Sequence, residues 1–273
     1  MSTNITPAEH LAQVQASFDR AGSPRLAEIM RAAVAHLHAF VEEVALTREE
    51  WFAGIDFLTR VGQKCDGQRQ ELILLSDTLG VSMLVEMLSH AGAPGTTEPT
   101  VFGPFHVDGA PERALGESIA DRDAGGDPLT VHGTVRGLDG APLAGARLDV
   151  WQTAPNGLYD VQDPEQPAMN LRGIFTTADD GTYSFRTVRP VAYPIPGDGP
   201  VGEMLRATGR HNWRPAHIHF VVTAPGHEPV ITHVFDRASR YLDSDAVFGV
   251  RDSLVVDMSG GEATFDPVLE RAS

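Results

Sequence analysis

Two histidines separated by a single residue, His217 and His219, are the group of side chains in this sequence best suited to chemistry. They lie in the segment 214–220, RPAHIHF, and the apolar residues that follow predict a strand over residues 217–223. Because strand side chains point alternately to opposite faces, both imidazoles project from the same face. Imidazole is the commonest protein metal ligand, so this face could bind a metal through both rings. The same spacing also fits two half-buried histidines on a sheet, so further ligands must decide.

Tyrosines provide the next candidate ligands, because cysteine is nearly absent. Cys65 is the only cysteine, which excludes an intrachain disulfide and a cysteine-based zinc or iron–sulfur site. Tyr159 ends a turn with the sequence PNGLYD, and Tyr193 lies in a loop rich in proline and glycine, so core packing explains them less well than it explains Tyr183. A phenol with a pKa of about 10 binds as phenolate only to a strongly polarising metal, for which Fe(III) is the obvious candidate.

Two alternatives remain open on these residues. One is a zinc hydrolase in which His217, His219 and a carboxylate such as Asp160 bind the metal, which leaves the loop tyrosines without a role. The other is a non-enzymatic β-sandwich module that binds its ligand with the proline- and glycine-rich loop of residues 189–215. The colour of concentrated protein separates them from a tyrosinate–iron site, because tyrosinate-to-Fe(III) charge transfer absorbs visible light.

Helical patterns fill the first ninety residues. Capping boxes of the form Thr-x-x-Glu begin at Thr6 and Thr47, and Ser23 precedes a proline that suits a first helical turn. Apolar residues at helical spacing follow, and a fourth, unusually apolar helix is predicted over residues 71–90. No strand pattern interrupts this region. We therefore predict an α-helical N-terminal domain over residues 1–95.

The texture of the sequence changes after breaker-rich residues 91–99, and short alternating runs follow. No helix-length segment separates these runs, which favours an antiparallel β-sandwich over βαβ units for residues 96–273. The predicted fold class is therefore α+β, with a helical N-terminal unit followed by the sandwich. The predicted strands span residues 129–135, 146–152, 182–188, 217–223, 230–235 and 253–257.

Composition limits the classes of partner. Among 273 residues, acidic side chains outnumber basic ones by 37 to 21, for a formal net charge of −16, which disfavours nucleic acid and anionic membranes. The most apolar stretch, residues 73–88, is too short and too polar to span a bilayer, and the first six residues do not resemble a secretory signal. We therefore expect a soluble, cytoplasmic protein.

Ordered segments across some seventy residues resemble the intradiol ring-cleavage dioxygenases. The segments are LDVWQ at 148–152, NGLYD at 156–160, YP at 193–194 and RPAHIH at 214–219. The resemblance implies one non-haem Fe(III) per chain. Its implied ligands are Tyr159, Tyr193, His217 and His219.

The resemblance also implies catalytic roles. Tyr193 matches the family tyrosine that leaves the iron when the diol chelates and accepts a proton, and Arg214 matches the arginine that stabilises developing charge. From the residues alone, Arg214 could equally form a loop salt bridge. His233 departs from the glutamine of several catechol-type relatives, and a place beside the site or in a core strand both remain open for it.

Two segments bear on the substrate. Asp77 is a carboxylate in an apolar helix, which is costly if buried without a partner; it could face solvent, cap a neighbour or accept a substrate hydroxyl. The segment 100–105, TVFGPF, could wall a flat ring or simply form a linker. Both resemble the hydroxyquinol 1,2-dioxygenase branch of the family. By that likeness the pocket residues are Leu74, Asp77, Val101, Phe102, Gly103, Pro104, Phe105, Ile195, Pro196 and Arg214.

Only a trihydroxylated ring offers a third hydroxyl for Asp77. The predicted reaction is therefore cleavage of hydroxyquinol (benzene-1,2,4-triol) by O2 to 3-hydroxy-cis,cis-muconate or its tautomer maleylacetate. Catechol or chlorocatechol 1,2-dioxygenase activity is the alternative. The apolar helix faces and the family likeness together imply a homodimer through the N-terminal helices, with a lipid bound there.

Overall fold

The computed structural model describes residues 5–67, 69–89, 92–120 and 125–272. Helices occupy the N-terminal part of the chain, as the sequence predicts. The third is followed by two short helices rather than by one long one. The helices are α1 (Pro7–Ala16), α2 (Pro24–Glu43), α3 (Arg48–Gln63), α4 (Glu71–Thr78) and α5 (Val81–Ser89).

Local side-chain bonds set the first turn of α1, α2 and α3. The Thr6 hydroxyl accepts the backbone N–H of Glu9, whose carboxylate accepts the N–H of Thr6 in return. Thr47 and the glutamate three residues later form the same reciprocal pair before α3. Ser23 caps α2 through the N–H of Leu26. Both predicted capping boxes and the predicted start of α2 are thus confirmed.

The prediction of one helix over residues 71–90 is wrong, because the chain bends by 78° between α4 and α5. Gly80 lies at the bend with a φ of +73°, a left-handed conformation that ends a helix and that glycine adopts without strain. His90 and Ala91 lie outside the described residues. In the described part of the chain no single helix could cross a membrane; α4 and α5 together could by length and composition, despite the bend.

Contacts within the chain divide it into two compact units, one that ends at Arg60 and one that begins at Val61. In the first unit, the Gln15 side chain of α1 donates to the Arg31 carbonyl of α2 at 3.2 Å. Helices α4 and α5 fall within the second unit. The domain boundary between residues 95 and 96 stays a prediction.

Strands dominate the second unit from Pro128 onward. Five of the six predicted strands are present within two residues of their expected ends. The sixth, at 253–257, is a 3₁₀ turn (Asp252–Leu254) followed by only two strand residues. The strands are β1 (Pro128–Thr134), β2 (Arg136–Gly137), β3 (Arg147–Trp151), β4 (Arg172–Thr176), β5 (Thr182–Val188), β6 (Tyr193–Pro194), β7 (Trp213–Arg214), β8 (His217–Thr223), β9 (Val230–Asp236), β10 (Val255–Val256), β11 (Glu262–Thr264) and β12 (Val268–Leu269).

Two sheets share one core. Their strand orders are β10-β9-β8-β3-β4 and β11-β1-β5. Phe175 of β4 and Phe185 of β5 stack across the core with ring centroids 5.1 Å apart, and Phe220 of β8 joins them. Helices followed by a sheet-rich domain confirm the α+β prediction, with one correction. Strands β10 and β11 pair in parallel with their neighbours, because long connections rather than hairpins bring the chain to these edges.

The predicted loop over residues 189–215 also contains regular structure. Strands β6 and β7 form a two-stranded antiparallel ribbon, with helix α6 (Pro200–Ala207) between them. The fully buried carboxylate of Glu71, in α4, accepts the N–H of Val201 at 3.1 Å and pairs with Arg69 at 2.7 Å. This contact fixes the connection between the two ribbon strands against α4.

Candidate active site and metal centre

Strand β8 places both predicted histidine ligands in one buried position. His217 and His219 are each 2% exposed, and their Nε2 atoms lie 3.2 Å apart. Strands β3 and β9 flank β8, and the register sets Trp151 and His233 on either side of His219. The Trp151 indole stacks on the His219 ring, with centroids 4.6 Å apart and 13° between the planes. Packing therefore fixes the orientation of this imidazole.

Tyr159 reaches the site from the turn that follows β3. Gly157, with a φ of +82°, makes this turn possible, and a Cβ there would lie 3.3 Å from the Cβ of Tyr193. Asp160 follows and accepts two bonds from Arg172, at 2.6 and 2.8 Å, in a buried ion pair. This pair anchors the tyrosine turn to β4. It also engages the carboxylate that the zinc hydrolase alternative needs as a ligand.

Tyr193 and Arg214 come from the β6–β7 ribbon, where they are direct partners. The Tyr193 hydroxyl lies 3.1 Å from that of Tyr159 and 3.5 Å from Nε2 of His217. Nη1 of Arg214 lies 3.3 Å from the same His217 nitrogen. The ribbon therefore sets one phenol and one guanidinium against the histidine face of β8.

Four donor atoms thus converge. Besides the contacts above, the Tyr159 hydroxyl lies 2.8 Å from Nε2 of His219. Around an ion with metal–ligand bonds of about 2.0–2.1 Å, neighbouring ligand atoms lie about 3 Å apart. The Nδ1–H of His217 donates to the Pro215 carbonyl at 2.7 Å, so its Nε2 lone pair faces the other donors. Two phenol oxygens and two imidazole nitrogens in this arrangement fit a single metal ion.

The protonation states agree with this fit. Burial, helped by Arg214, lowers the pKa of His217 well below its usual value, and burial with the adjacent His217 does the same for His219. Both rings are therefore neutral and able to bind a cation. Burial raises the pKa of Tyr159, as does the neighbouring Tyr193, and burial raises the pKa of Tyr193 against the opposing charge of Arg214. A bound cation would reverse these shifts, because positive charge favours the phenolate.

His233 lies against both histidines, which sequence reasoning left open. It is fully buried on β9, with its ring centroid 4.1 Å from that of His219 and 4.7 Å from that of His217. Each of the three rings offers a nitrogen within 4.8 Å of the other two. Nδ1 of His233 bonds the Thr100 hydroxyl, whereas its Nε2 has no hydrogen-bond partner among the described residues. His233 is thus a third buried imidazole beside the two predicted histidine ligands.

Two of the four donor residues, Tyr193 and His219, line a narrow cavity. Its volume is about 20 Å³, and it shares four lining residues with an outer cavity of about 430 Å³. A benzene-sized ring needs about 150 Å³, so a lining side chain must move to admit one. The inner cavity is lined by nine of the ten predicted pocket residues, namely Leu74, Asp77, Val101, Gly103, Pro104, Phe105, Ile195, Pro196 and Arg214.

The tenth predicted pocket residue, Phe102, does not line this cavity. It packs instead on His106 and on the edge of Trp151, with centroids 4.7 and 5.8 Å apart. It therefore supports the indole that stacks on His219.

Asp77 is buried in the lining of the cavity, with 4% exposure. Burial raises the pKa of this carboxyl. A hydrogen bond from Ser82 and the charge of Arg214 partly offset this increase, whereas the charge of Asp245 adds to it. Burying a carboxylate costs free energy, and a hydrogen-bond donor on a ligand would reduce that cost.

Arg214 forms the salt bridge that the sequence allowed as its structural role, and it also reaches the site. It is 3% exposed and pairs with Asp245 at 3.2 Å. Burial alone would lower the pKa of Arg214, but Asp245 and the two phenols raise it overall. The guanidinium is therefore permanently charged beside the cavity.

Sequence reasoning missed three contributors to the site. Val247 lines the cavity, Trp151 orients His219, and Asp245 holds Arg214. Trp151 lies within the segment LDVWQ, whose likeness to the family was the one signal in the sequence that could have pointed to this residue. Nothing in the sequence around Asp245 or Val247 points to the site.

Comparison with known proteins extends these observations. Residues 101–270 match the model of a family described as Dioxygenase, and residues 23–97 match one described as Catechol dioxygenase N terminus. The chain is 55% identical over 233 residues to a 6-chlorohydroxyquinol 1,2-dioxygenase of Cupriavidus pinatubonensis, which covers 85% of this chain and 84% of that protein. Among solved structures, a hydroxyquinol 1,2-dioxygenase from Pseudomonas putida is similar with a TM-score of 0.92 and 50% identity, over 97% of this chain and 99% of that one. A catechol 1,2-dioxygenase from Acinetobacter has a TM-score of 0.83 and 31% identity, over 97% and 92% of the two chains.

The matches cover both the helical region and the sandwich, so they include every element that carries the site. The family and the histidine cluster together indicate a bound metal, and the family implies an aromatic diol and O2 as substrates. The chain belongs to the family of intradiol ring-cleavage dioxygenases.

Proposed function

We propose that this chain cleaves hydroxyquinol between its adjacent hydroxyls, with one Fe(III) per chain held by Tyr159, Tyr193, His217 and His219. The observation that carries the proposal is the convergence of two phenol oxygens and two imidazole nitrogens within 2.8–3.5 Å of their neighbours. Phenolate is a hard, anionic ligand, and it selects a strongly polarising ion such as Fe(III) over zinc.

Fe(III), when bound, acts as a Lewis acid that favours the dianion of a diol and prepares the ring for reaction with O2. The protein's own groups do the rest. Tyr193, as the phenolate that a bound cation would stabilise, is placed to accept a diol proton, because its side chain lines the cavity and its hydroxyl lies 3.1 Å from that of Tyr159. Arg214 supplies a fixed positive charge beside the cavity, where it stabilises negative charge that develops on the ring. The buried walls exclude water from the reacting atoms.

The third hydroxyl of hydroxyquinol is the group that favours this substrate over catechol. Asp77 offers a buried acceptor in the lining of the cavity, and catechol has no third hydroxyl to bind it. Similarity points the same way, since identity is 50% to the hydroxyquinol enzyme and 31% to the catechol enzyme. Catechol or chlorocatechol cleavage is the second candidate.

Metal content and colour test the proposal. Purified protein is expected to contain about one iron per chain and to show a broad visible band that shifts when hydroxyquinol is added without O2. His217→Ala and His219→Ala should lose iron and colour, whereas His132→Ala, on the other sheet, should keep both. With O2, the wild type should yield 3-hydroxy-cis,cis-muconate or maleylacetate. Colourless, active protein with stoichiometric zinc would instead support a hydrolase, and colourless protein without metal would support a binding module.

We also propose a homodimer through the N-terminal helices, with a lipid against them, in the cytoplasm. Of the twenty residues of α2 only Ala27 is buried, while Leu37 and Phe40 are more than half exposed. An apolar surface of this extent is typical of an interface. Light scattering should give twice the chain mass for the wild type and a lower mass for Phe40→Glu. Extraction followed by mass spectrometry tests for the lipid. Cell fractionation tests the compartment. A wild-type monomer would contradict the dimer.

A further inference from the structure

Asp245 lies behind the site, in a short segment that ends at Gly249. Its side chain is 5% exposed, and both carboxylate oxygens are fully used. Oδ1 accepts Nε–H of Arg214 at 3.2 Å and the N–H of Val247 at 3.3 Å. Oδ2 accepts Nη2–H of Arg214 at 3.4 Å and the N–H of Gly249 at 2.9 Å. Each oxygen thus binds the guanidinium once and the backbone of the segment once.

This arrangement determines where the third nitrogen of Arg214 points. The guanidinium is a planar, rigid fork, so holding Nε and Nη2 on one side directs Nη1 to the opposite side. Nη1 is the nitrogen that lies 3.3 Å from Nε2 of His217. The charge of Arg214 is thereby aimed at the donor atoms rather than left to rotate.

The same carboxylate sets one wall of the cavity. Val247 lines the cavity together with Arg214, and its N–H is bound to Asp245. Phe248 follows with a φ of +59°, a left-handed conformation that is strained for a residue with a side chain. A Cβ on Gly249 would lie 3.2 Å from both Nη2 of Arg214 and Oδ2 of Asp245. The segment therefore wraps closely around the ion pair.

We propose that Asp245 is a positioning residue that aims the guanidinium of Arg214 at the reacting face of the substrate. This rests on the proposed function, since it acts through Arg214. Asp245 itself is not among the residues that line the cavity, and its side-chain bonds go to Arg214 and to the backbone of Val247 and Gly249.

Four variants test this: Asp245→Asn, Arg214→Ala, the double variant, and Asp236→Asn as a control. Asp236 is a matched control because it is also buried, pairs with Arg189 at 2.7 Å and accepts one backbone N–H, that of Ala238, at 3.0 Å. Asp245→Asn is expected to keep iron and the visible band of the free enzyme and to lower kcat about 10- to 100-fold, the usual cost of a misaligned group. Asp236→Asn should leave kcat within about twofold of the wild type.

The double variant gives the sharper result. If Asp245 acts through Arg214, adding Asp245→Asn to Arg214→Ala lowers kcat no further. If the two losses multiply, or if Asp236→Asn lowers kcat as much as Asp245→Asn does, the positioning role is wrong.

A buried arginine without its partner can destabilise the fold, so a milder variant and a second measurement are needed. Asp245→Glu keeps the charge but displaces it by one methylene, and it should lower kcat while the protein stays folded and loaded with iron. In protein loaded with diamagnetic Ga(III) in place of iron, the Nε–H hydrogen of Arg214 should exchange slowly with solvent in the wild type and rapidly in Asp245→Asn. An Nε–H that stays protected in Asp245→Asn would overturn the proposal. Failure of the proposed function would differ, since it would appear in the wild type as missing iron or absent ring cleavage.

Discussion

Tyr193 and Arg214 face each other as direct partners across the β6–β7 ribbon, and both side chains line the cavity beside the two histidines. A candidate proton acceptor and a candidate charge stabiliser are therefore carried by one small element. Any movement of Tyr193 that makes room for a ring takes place next to a guanidinium that is paired with Asp245.

Removal of the Tyr193 hydroxyl tests its double role as ligand and proton acceptor. Tyr193→Phe leaves three donor atoms, so the protein should keep some iron, with an altered visible band. Loss of a positioned proton acceptor should lower kcat/KM by about 10²- to 10⁴-fold. Tyr183→Phe is the control, because that buried phenol donates to the Phe265 carbonyl at 2.7 Å, away from the site. An unchanged band in Tyr193→Phe would mean that this phenol is not a ligand.

Asp77 should decide between a triol and a diol. If its carboxylate accepts the third hydroxyl, Asp77→Ala removes a charge-assisted hydrogen bond of about 1.5–3 kcal/mol, or roughly ten- to a hundredfold in kcat/KM for hydroxyquinol. The kcat/KM of Asp77→Asn for hydroxyquinol should fall between the values of the wild type and Asp77→Ala. Turnover of catechol should hold or rise, so the ratio of the two efficiencies isolates the contact from a folding defect. A constant ratio at normal iron content would remove the main argument for hydroxyquinol.

Gly103 should be required for the position of His219 as well as for the backbone. It has a φ of +77°, and a Cβ there would lie 3.3 Å from Cε1 of His219. Gly140 has a φ of +79° with nothing within 4 Å of its Cβ position, so Gly140→Ala reproduces the backbone strain alone. Both variants should lose about 1–2 kcal/mol of stability. Only Gly103→Ala should also lose iron affinity in a chelator competition; equal iron affinity in both would show that His219 tolerates the contact.

Three buried imidazoles should make the metal-free protein sensitive to acid. Burial lowers the pKa of His217, His219 and His233, whereas in the unfolded chain each has a pKa of about 6.5. The unfolded state therefore binds more protons below about pH 6.5, so stability is full above that pH and falls as the pH is lowered. The slope should approach about 1.4 kcal/mol per pH unit for each histidine. Urea titrations of the metal-free protein between pH 7.5 and 5.5 measure it.

His233→Gln provides the internal check on that slope. It removes one of the three groups and should reduce the slope by about one third. If the free energy of unfolding of the wild type does not change over this range, the three histidines are not the source of acid sensitivity.

Local patterns predicted a large part of the fold. The capping boxes at Thr6 and Thr47 depend only on residues three positions apart, so the sequence alone placed the starts of α1 and α3. Strand β8 could be predicted equally well, because its histidines and apolar residues lie between Pro215 and Pro225. By contrast, β4 has only five residues without alternation, four of them buried, and pairing with β3 makes it a strand.

The site divides in the same way. Its histidines and tyrosines belong to segments with a strong family likeness, so the sequence predicted them as a group, and the structure brings the four side chains together. Asp245 lies 31 residues from Arg214, and no local pattern joins them. Phe102 belongs to the same segment as its cavity-lining neighbours, and no local pattern predicts that its ring packs on His106 and Trp151 instead.

The elements that carry the four donor atoms differ in how firmly the sheet holds them. The histidines belong to a central strand, whereas Tyr159 ends a turn 60 residues before His219 and Tyr193 lies on a two-residue strand. An ion bound to all four donor atoms would tie the two tyrosine segments to the sandwich. It would stabilise the fold by closing loops of the chain, as a disulfide does. Iron would then act as a cross-link as well as a reagent. A chelator should expose the tyrosine segments to proteases while the sandwich, whose core lies elsewhere, stays intact.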